Sequence, residues 1–151
     1  MTLYLKYRPQ TIDGLDLTSV REALKKIIAR KEMPHAFLFA GPKGTGKTSA
    51  ARILAKAINC EKPNKDGEPC NKCGQCISIS KGQNMDVVEM DAASNRGIDD
   101  IRSLRENVNL APSSASKKIY ILDEAHMLTT EAANAFLKTL EEPPSHAMFI
   151  L

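Results

Sequence analysis

The residues with the clearest chemistry are GPKGTGKT at positions 41–48, which satisfy the phosphate-loop pattern G-x-x-x-x-G-K-[ST]. Gly41, Gly44 and Gly46 let the backbone bend so that successive N–H groups face phosphate oxygens. The N-terminus of the following helix adds a favourable dipole. Lys47 supplies a cation for the β- and γ-phosphates, and the Thr48 hydroxyl is a magnesium ligand. Pro42, Lys43, Thr45 and Ser49 complete the set of candidate nucleotide contacts. An ordinary glycine-rich turn would need neither the strand-like run at residues 36–40 nor the helical run that follows, and both are present.

A magnesium nucleotide needs a second set of ligands, and KIYILDEAH supplies one. The apolar residues 119–122 run into Asp123 and Glu124, and parallel strands bind ligands at their carboxyl ends. Asp123 is placed to hold magnesium, directly or through water. Glu124 is placed to polarise an attacking water as general base, so Lys47, Asp123 and Glu124 form the candidate catalytic set.

Four cysteines, Cys60, Cys70, Cys73 and Cys76, lie within one short window. Two consecutive C-x-x-C steps bring neighbouring thiolates to one ion, and Cys60, at the end of the P-loop helix, closes a tetrahedron. Structural zinc is the leading reading. An iron–sulfur cluster and metal-free thiols are the alternatives, although the cluster motif with a fourth cysteine before a proline is absent. The segment between Cys60 and Cys70 is too polar to fold by burial, so the metal is expected to organise it. His35, His126 and His146 read as loop or surface residues.

The elements that must position these groups alternate between strand and helix. Apolar runs at 36–40, 87–90, 119–122 and 148–151 predict strands, while residues 47–58, 98–108 and 130–140 carry helical patterns. Val20, Leu24, Ile27 and Ile28 share one helical face, with Ser19 to Glu22 reading as a capping box. Residues 4–10 are expected to be extended because Pro9 resists helix. The sum is an α/β fold with a mainly parallel sheet flanked by helices and a small four-cysteine insert at 60–76.

Composition agrees. The chain has 151 residues, 42% hydrophobic and 26% charged, with a formal net charge of +3. That argues against disorder and against a membrane protein, and it is too mild a charge to identify a nucleic-acid binder. Lys6 and Arg8 interrupt any export signal, so a cytoplasmic protein is expected. The final apolar strand, with no polar tail after it, predicts a fragment of a longer protein.

Several blocks in order, namely KYRPQT, HAFLFAGPKGTGKTSAARILAKAINC, the cysteine insert, DAASNRGIDDIR, KIYILDEAHML and NAFLKTLEEPP, make the chain similar to a known family. It resembles the gamma/tau subunits of bacterial DNA polymerase III clamp loaders, which are AAA+ ATPases. The resemblance implies a P-loop NTPase domain over residues 1–151, with the family's sensor, arginine finger, lid and collar lying beyond Leu151. It implies ATP, magnesium and zinc as cofactors, zinc on Cys60, Cys70, Cys73 and Cys76, and Walker A and Walker B roles for residues 41–48 and for Asp123 with Glu124. It also implies that Tyr7, Arg8 and Pro9 lie beside the nucleotide base, and that strand 148–151 inserts between the strands at 36–40 and 119–122. The implied partners are delta, delta-prime and further gamma/tau copies in a hetero-oligomeric ring, together with the sliding clamp and primed DNA. Such a fragment alone would hydrolyse ATP little.

The related delta-prime subunits share LKTLEEPP but have a degraded P-loop, so the intact loop favours gamma/tau. Two departures stand out: IDGLDLTSVRE replaces the family's usual Gly-Gln pair, and Ala125 replaces its usual valine. Asp123 to His126 also spells the DEAH helicase motif, but that class has neither the cysteine insert nor LKTLEEPP. A non-hydrolysing, zinc-stabilised assembly module is the remaining alternative.

Overall fold

The computed structural model describes residues 2–151. In chain order the elements are α1 (Leu3–Lys6), α2 (Thr18–Ile28), β1 (Ala36–Phe37), α3 (Lys47–Asn59), α4 (Gly74–Ser80), β2 (Val87–Asp91), α5 (Ile98–Val108), β3 (Lys118–Asp123), α6 (Thr130–Glu141) and β4 (Ala147–Ile150). Contacts divide the chain into two compact units. One comprises residues up to Met33 with Ala40–Gln83, and the other Pro34–Phe39 with Asn84–Leu151.

The second unit holds the sheet, with strand order β1-β4-β3-β2 and every neighbouring pair parallel. The sequence-last strand therefore sits between β1 and β3, as the family resemblance implies. The ladder runs past the two residues of β1, because Phe39 donates its N–H to the Leu151 carbonyl at 2.8 Å. Alternate residues of β3 and β4 face opposite sides of the sheet. Tyr120, Leu122, Ala147 and Phe149 join Ile101, Leu104 and Val108 of α5 and Ala132 and Phe136 of α6 in one core. There the Phe149 ring stacks on Tyr120 at 5.6 Å between centroids and meets the edge of Phe136 at 5.3 Å. Ile119, Ile121, Met148 and Ile150 point the other way and are buried as well, so β4 and residues 119–122 of β3 are buried on both faces.

Asp86 opens this sheet. Its carboxylate accepts the N–H groups of Ser113, Ser114 and Ala115 at 2.7, 2.8 and 2.9 Å, fastening the loop that leads into β3. Burial pushes this carboxyl up, but the three amides and the Ser114 hydroxyl together hold it below its ordinary range. Tyr120 donates its hydroxyl to Asn107 at 2.7 Å, and burial, with the Asp86 charge nearby, pushes its phenol up to about 12.

The first unit is helical. α3 packs on α4 and on α2, and it is buried on most of its circumference by Ala50, Ala51, Ile53, Leu54, Ala55 and Ala57. Small residues on both sides of the helix permit close approach all round, in place of a single apolar stripe.

Two local expectations are corrected. Leu3–Lys6 is one helical turn, with the Leu5 and Lys6 N–H groups donating to the Thr2 carbonyl, where an extended segment was expected. Pro9 restricts itself and the residue before it, which leaves residues 3–6 unconstrained. α2 begins at Thr18 with Leu17 as N-cap and no side-chain capping bond, so Ser19 lies inside the helix and the box does not form. The Thr18 hydroxyl is instead engaged by Arg21 at 2.9 Å.

Candidate functional site

The phosphate-type loop is built from its glycines. Gly44 and Gly46 take φ of +85° and +86°, a region that a Cβ makes costly, and Gly46 is the N-cap of α3. α3 therefore starts at Lys47, directly after the loop, with no side-chain cap from Gly46. Thr45 donates its hydroxyl to the Pro42 carbonyl at 2.8 Å and braces the turn. The Lys47 ammonium lies along the loop, donating to the carbonyls of Gly41 and Pro42, both at 2.8 Å. A phosphate oxygen can replace those two neutral acceptors with a charge-assisted bond, so the resting loop keeps the cation in place for an anion.

Of the three N-terminal residues expected near the nucleotide, Arg8 reaches this loop's helix. Its guanidinium Nε donates to the Ser49 hydroxyl at 2.9 Å, across 41 residues of sequence. Tyr7 is exposed, and Pro9 is half-buried.

Asp123 ends β3 in the other unit, and Glu124 follows it. The Ala92 N–H donates to the Asp123 carbonyl at 2.9 Å, which anchors the strand end beside β2. The Asp123 carboxylate accepts the N–H of Glu124 at 3.0 Å. Glu124 itself sits at φ +55°, a left-handed conformation that costs a side-chain-bearing residue about 1 kcal/mol or more. This bend turns the chain from strand into the short 3-10 turn Ala125–Met127. Its Oε2 lies 3.3 Å from Nε2 of His126. That contact was not legible as a site feature, since the histidine read as a surface residue. His35 and His146 contact the carbonyls of Leu140 and Val108 at 3.0 and 2.8 Å, in keeping with a structural reading.

The four cysteines converge. Their sulfurs all lie within 4.8 Å of one another, and Cys70 and Cys76 are 4.0 Å apart. Four thiolates about 2.3 Å from one zinc ion would be separated by about 3.8 Å, so the cluster fits a tetrahedral ion after a slight contraction. The knuckle carries its own donors: Lys72 and Cys73 give N–H bonds to the Cys70 sulfur at 3.4 and 3.3 Å, and Cys76 gives one to Cys73 at 3.4 Å. The two amides on Cys70 pull its thiol down to about 6, the direction a metal ligand requires, while burial pushes the Cys60 and Cys76 thiols up. No other group of three or more potential metal-binding side chains clusters in this way among the described residues.

Three residues near the cysteines escaped the sequence reading. Glu68, 5% exposed, accepts the N–H of Ile12 at 2.8 Å and of Asp13 at 3.0 Å. Lys56, 2% exposed on α3, donates to the Gln10 carbonyl, the Gln10 side chain and the Asn71 side chain at 3.1, 2.8 and 2.8 Å. Burial lowers its affinity for a proton. The one available signal was a lysine between alanines in an apolar helix; nothing local marked Glu68 or Asn71. The polar segment before Cys70 also has order of its own. Asn64 closes it by accepting N–H bonds from Asp66 and Glu68, and Gly67 turns it at φ +78°.

An all-parallel sheet, a strand–loop–helix with left-handed glycines and a converged four-cysteine insert define an α/β protein of the P-loop type. Residues 17–151 match the family model described as DNA polymerase III, delta subunit, and the chain belongs to that family. Among its relatives, DNA polymerase III subunit tau of Bacillus subtilis is 52% identical over 99% of this chain and 26% of its own length. The tau subunit of Escherichia coli is 45% identical over 97% of this chain and 23% of its own. The chain thus spans about a quarter of the length of these relatives. A crystal structure of a DNA polymerase III gamma subunit-related protein from Thermotoga maritima superposes with a TM-score of 0.61 at 31% identity, covering 86% of this chain and 38% of that one. No helix among the described residues is long and apolar enough to cross a membrane.

Proposed function

We propose that this chain is the nucleotide-binding part of an ATPase subunit of the DNA polymerase III clamp loader, acting during DNA replication in the cytoplasm. The observation that most supports it is the conformation of residues 41–48, where left-handed Gly44 and Gly46 lead directly into the N-terminus of α3 with Lys47 folded over the loop. In this reading Gly41, Pro42, Lys43, Gly44, Thr45, Gly46, Lys47, Thr48 and Ser49 cradle the ATP phosphates, and Tyr7, Arg8 and Pro9 border the base. Lys47 exchanges its two carbonyl acceptors for phosphate oxygens. Magnesium, with Thr48 and Asp123 as its protein ligands, neutralises phosphate charge when bound. Glu124 accepts the proton of the attacking water. Zinc on Cys60, Cys70, Cys73 and Cys76 is structural, since four thiolates fill its coordination and leave no open position.

The work done with ATP is the opening and loading of a ring-shaped sliding clamp onto primed DNA. Delta, delta-prime and further gamma/tau copies are the partners in a hetero-oligomeric ring, and the names of the tau and gamma/tau relatives support that assignment. The test is calorimetric. With magnesium present, Lys47→Ala is expected to weaken ATP binding at least tenfold without unfolding the chain, whereas Glu124→Gln retains binding. In the assembled ring Glu124→Gln lowers turnover about 100-fold, the usual size of general-base catalysis. Equal ATP affinity for wild type and Lys47→Ala refutes the nucleotide-loop reading.

A further inference from the structure

The cysteine insert and the nucleotide loop are joined by a feature that neither role requires. Residues 8–13 form a strap, and its hydrogen bonds run to both. At one end Arg8 holds Ser49, next to Thr48 of the loop. In the middle, Gln10 is held through its carbonyl and its side chain by Lys56 of α3, and its carbonyl also accepts from the Asn71 side chain at 3.2 Å. At the other end, both oxygens of Glu68 take the successive backbone N–H groups of Ile12 and Asp13. Asp13 pairs in addition with Lys25 of α2.

Glu68 and Asn71 flank Cys70 in sequence, two residues before it and one after, and Asn71 sits at φ +58°. Their positions follow from the path the chain takes into and out of the cysteine knuckle. Ile12 is fully buried and Glu68 nearly so, which makes the carboxylate–amide pair costly to leave unmade.

We propose that Glu68 and Asn71 make the four-cysteine insert a clamp on the strap 8–13, so that metal at the cysteines and nucleotide at the loop favour one another. The proposal rests on the nucleotide and zinc readings above. Metal holds Cys70 and hence both clamp residues; the clamp holds the strap; the strap holds Arg8 against Ser49 and fixes the residues that border the base. Glu68 and Asn71 are positioning residues in this scheme, with no contact to either ligand. Coupling between two bound ligands is reciprocal, so each must raise the affinity for the other by the same factor.

The experiment uses the full chain, zinc-loaded or stripped with a chelator, and a fluorescent ATP analogue with magnesium. Zinc-loaded wild type is expected to bind the analogue about 5-fold or more tightly than stripped protein, the lower end of ordinary coupling. The analogue should slow zinc loss to a chelator by a comparable factor. Amide exchange at Ile12 and Asp13 should accelerate about tenfold or more on stripping. Glu68→Gln, which keeps the shape and loses the charge, is expected to bind both ligands with a coupling factor near one; a purely structural role for Glu68 would weaken binding and leave the factor unchanged. Lys25→Ala, which removes the exposed pair to Asp13, serves as a second variant that leaves the clamp in place and should retain the coupling. Equal analogue affinity with and without zinc in wild type, each ligand binding on its own, overturns the clamp alone. Wild type that holds no zinc, or binds no analogue, overturns the underlying reading and the clamp with it.

Discussion

Asp86→Ala removes the acceptor that fastens the loop before β3. The carboxylate is 1% exposed and takes three backbone N–H bonds between 2.7 and 2.9 Å, with a longer contact of 3.4 Å from the Ser114 hydroxyl. Hydrogen bonds to a charged group contribute about 1.5–3 kcal/mol each, so three set a ceiling of roughly 5–9 kcal/mol. Ser113 and Ser114 are exposed, and their amides regain water when the loop lifts. The expected loss is therefore about 2–4 kcal/mol at pH 7, and Asp86→Asn, which keeps one acceptor oxygen, should lose about half as much. The sign of the pH dependence follows from the folded carboxyl lying below its ordinary range. Its stabilisation is fully present above the unfolded value of about 3.9 and is lost as pH falls through the lower folded value. Urea unfolding followed by circular dichroism should show the gap between wild type and Asp86→Ala narrowing below about pH 4. A gap under about 0.5 kcal/mol at pH 7, or one unchanged between pH 7 and pH 3, would refute this account.

Gly67→Ala should disorder the segment before Cys70, because a Cβ there would lie 2.5 Å from the Ile28 side chain in a backbone already at φ +78°; faster proteolysis between Cys60 and Cys70 is the readout. Cys73→Ser should lose zinc by elemental analysis while circular dichroism shows the sheet retained, since β1 to β4 lie outside the cysteine unit. Phe149→Ala, at the centre of the aromatic cluster, should cost about 3–5 kcal/mol of stability in urea unfolding, and a loss under 1 kcal/mol would deny that the cluster is tightly packed.

The sequence by itself determined what is local. The four strands followed from short apolar runs and the longer helices from the period of apolar residues, and α5 spans the residues its pattern predicts. The phosphate-type loop and the cysteine knuckle were legible because each packs its chemistry into a few contiguous residues with unusual backbone or ligand demands. Only the tertiary structure decided what depends on distant partners. Lys56 finds Gln10 across 46 residues, Glu68 finds Ile12 across 56, and Asp86 finds its loop 27 to 29 residues on. Each is an ordinary charged side chain with no local mark, and burial is what turns it into a fastening. The left-handed bend at Glu124, next to the residue whose carbonyl accepts the Ala92 N–H, is likewise unmarked in the local sequence. The polar segment before Cys70 shows the same physics from the other side: it lacks apolar residues to bury, yet Asn64, Gly67 and Glu68 order it through hydrogen bonds and backbone shape, which a hydrophobic pattern does not record.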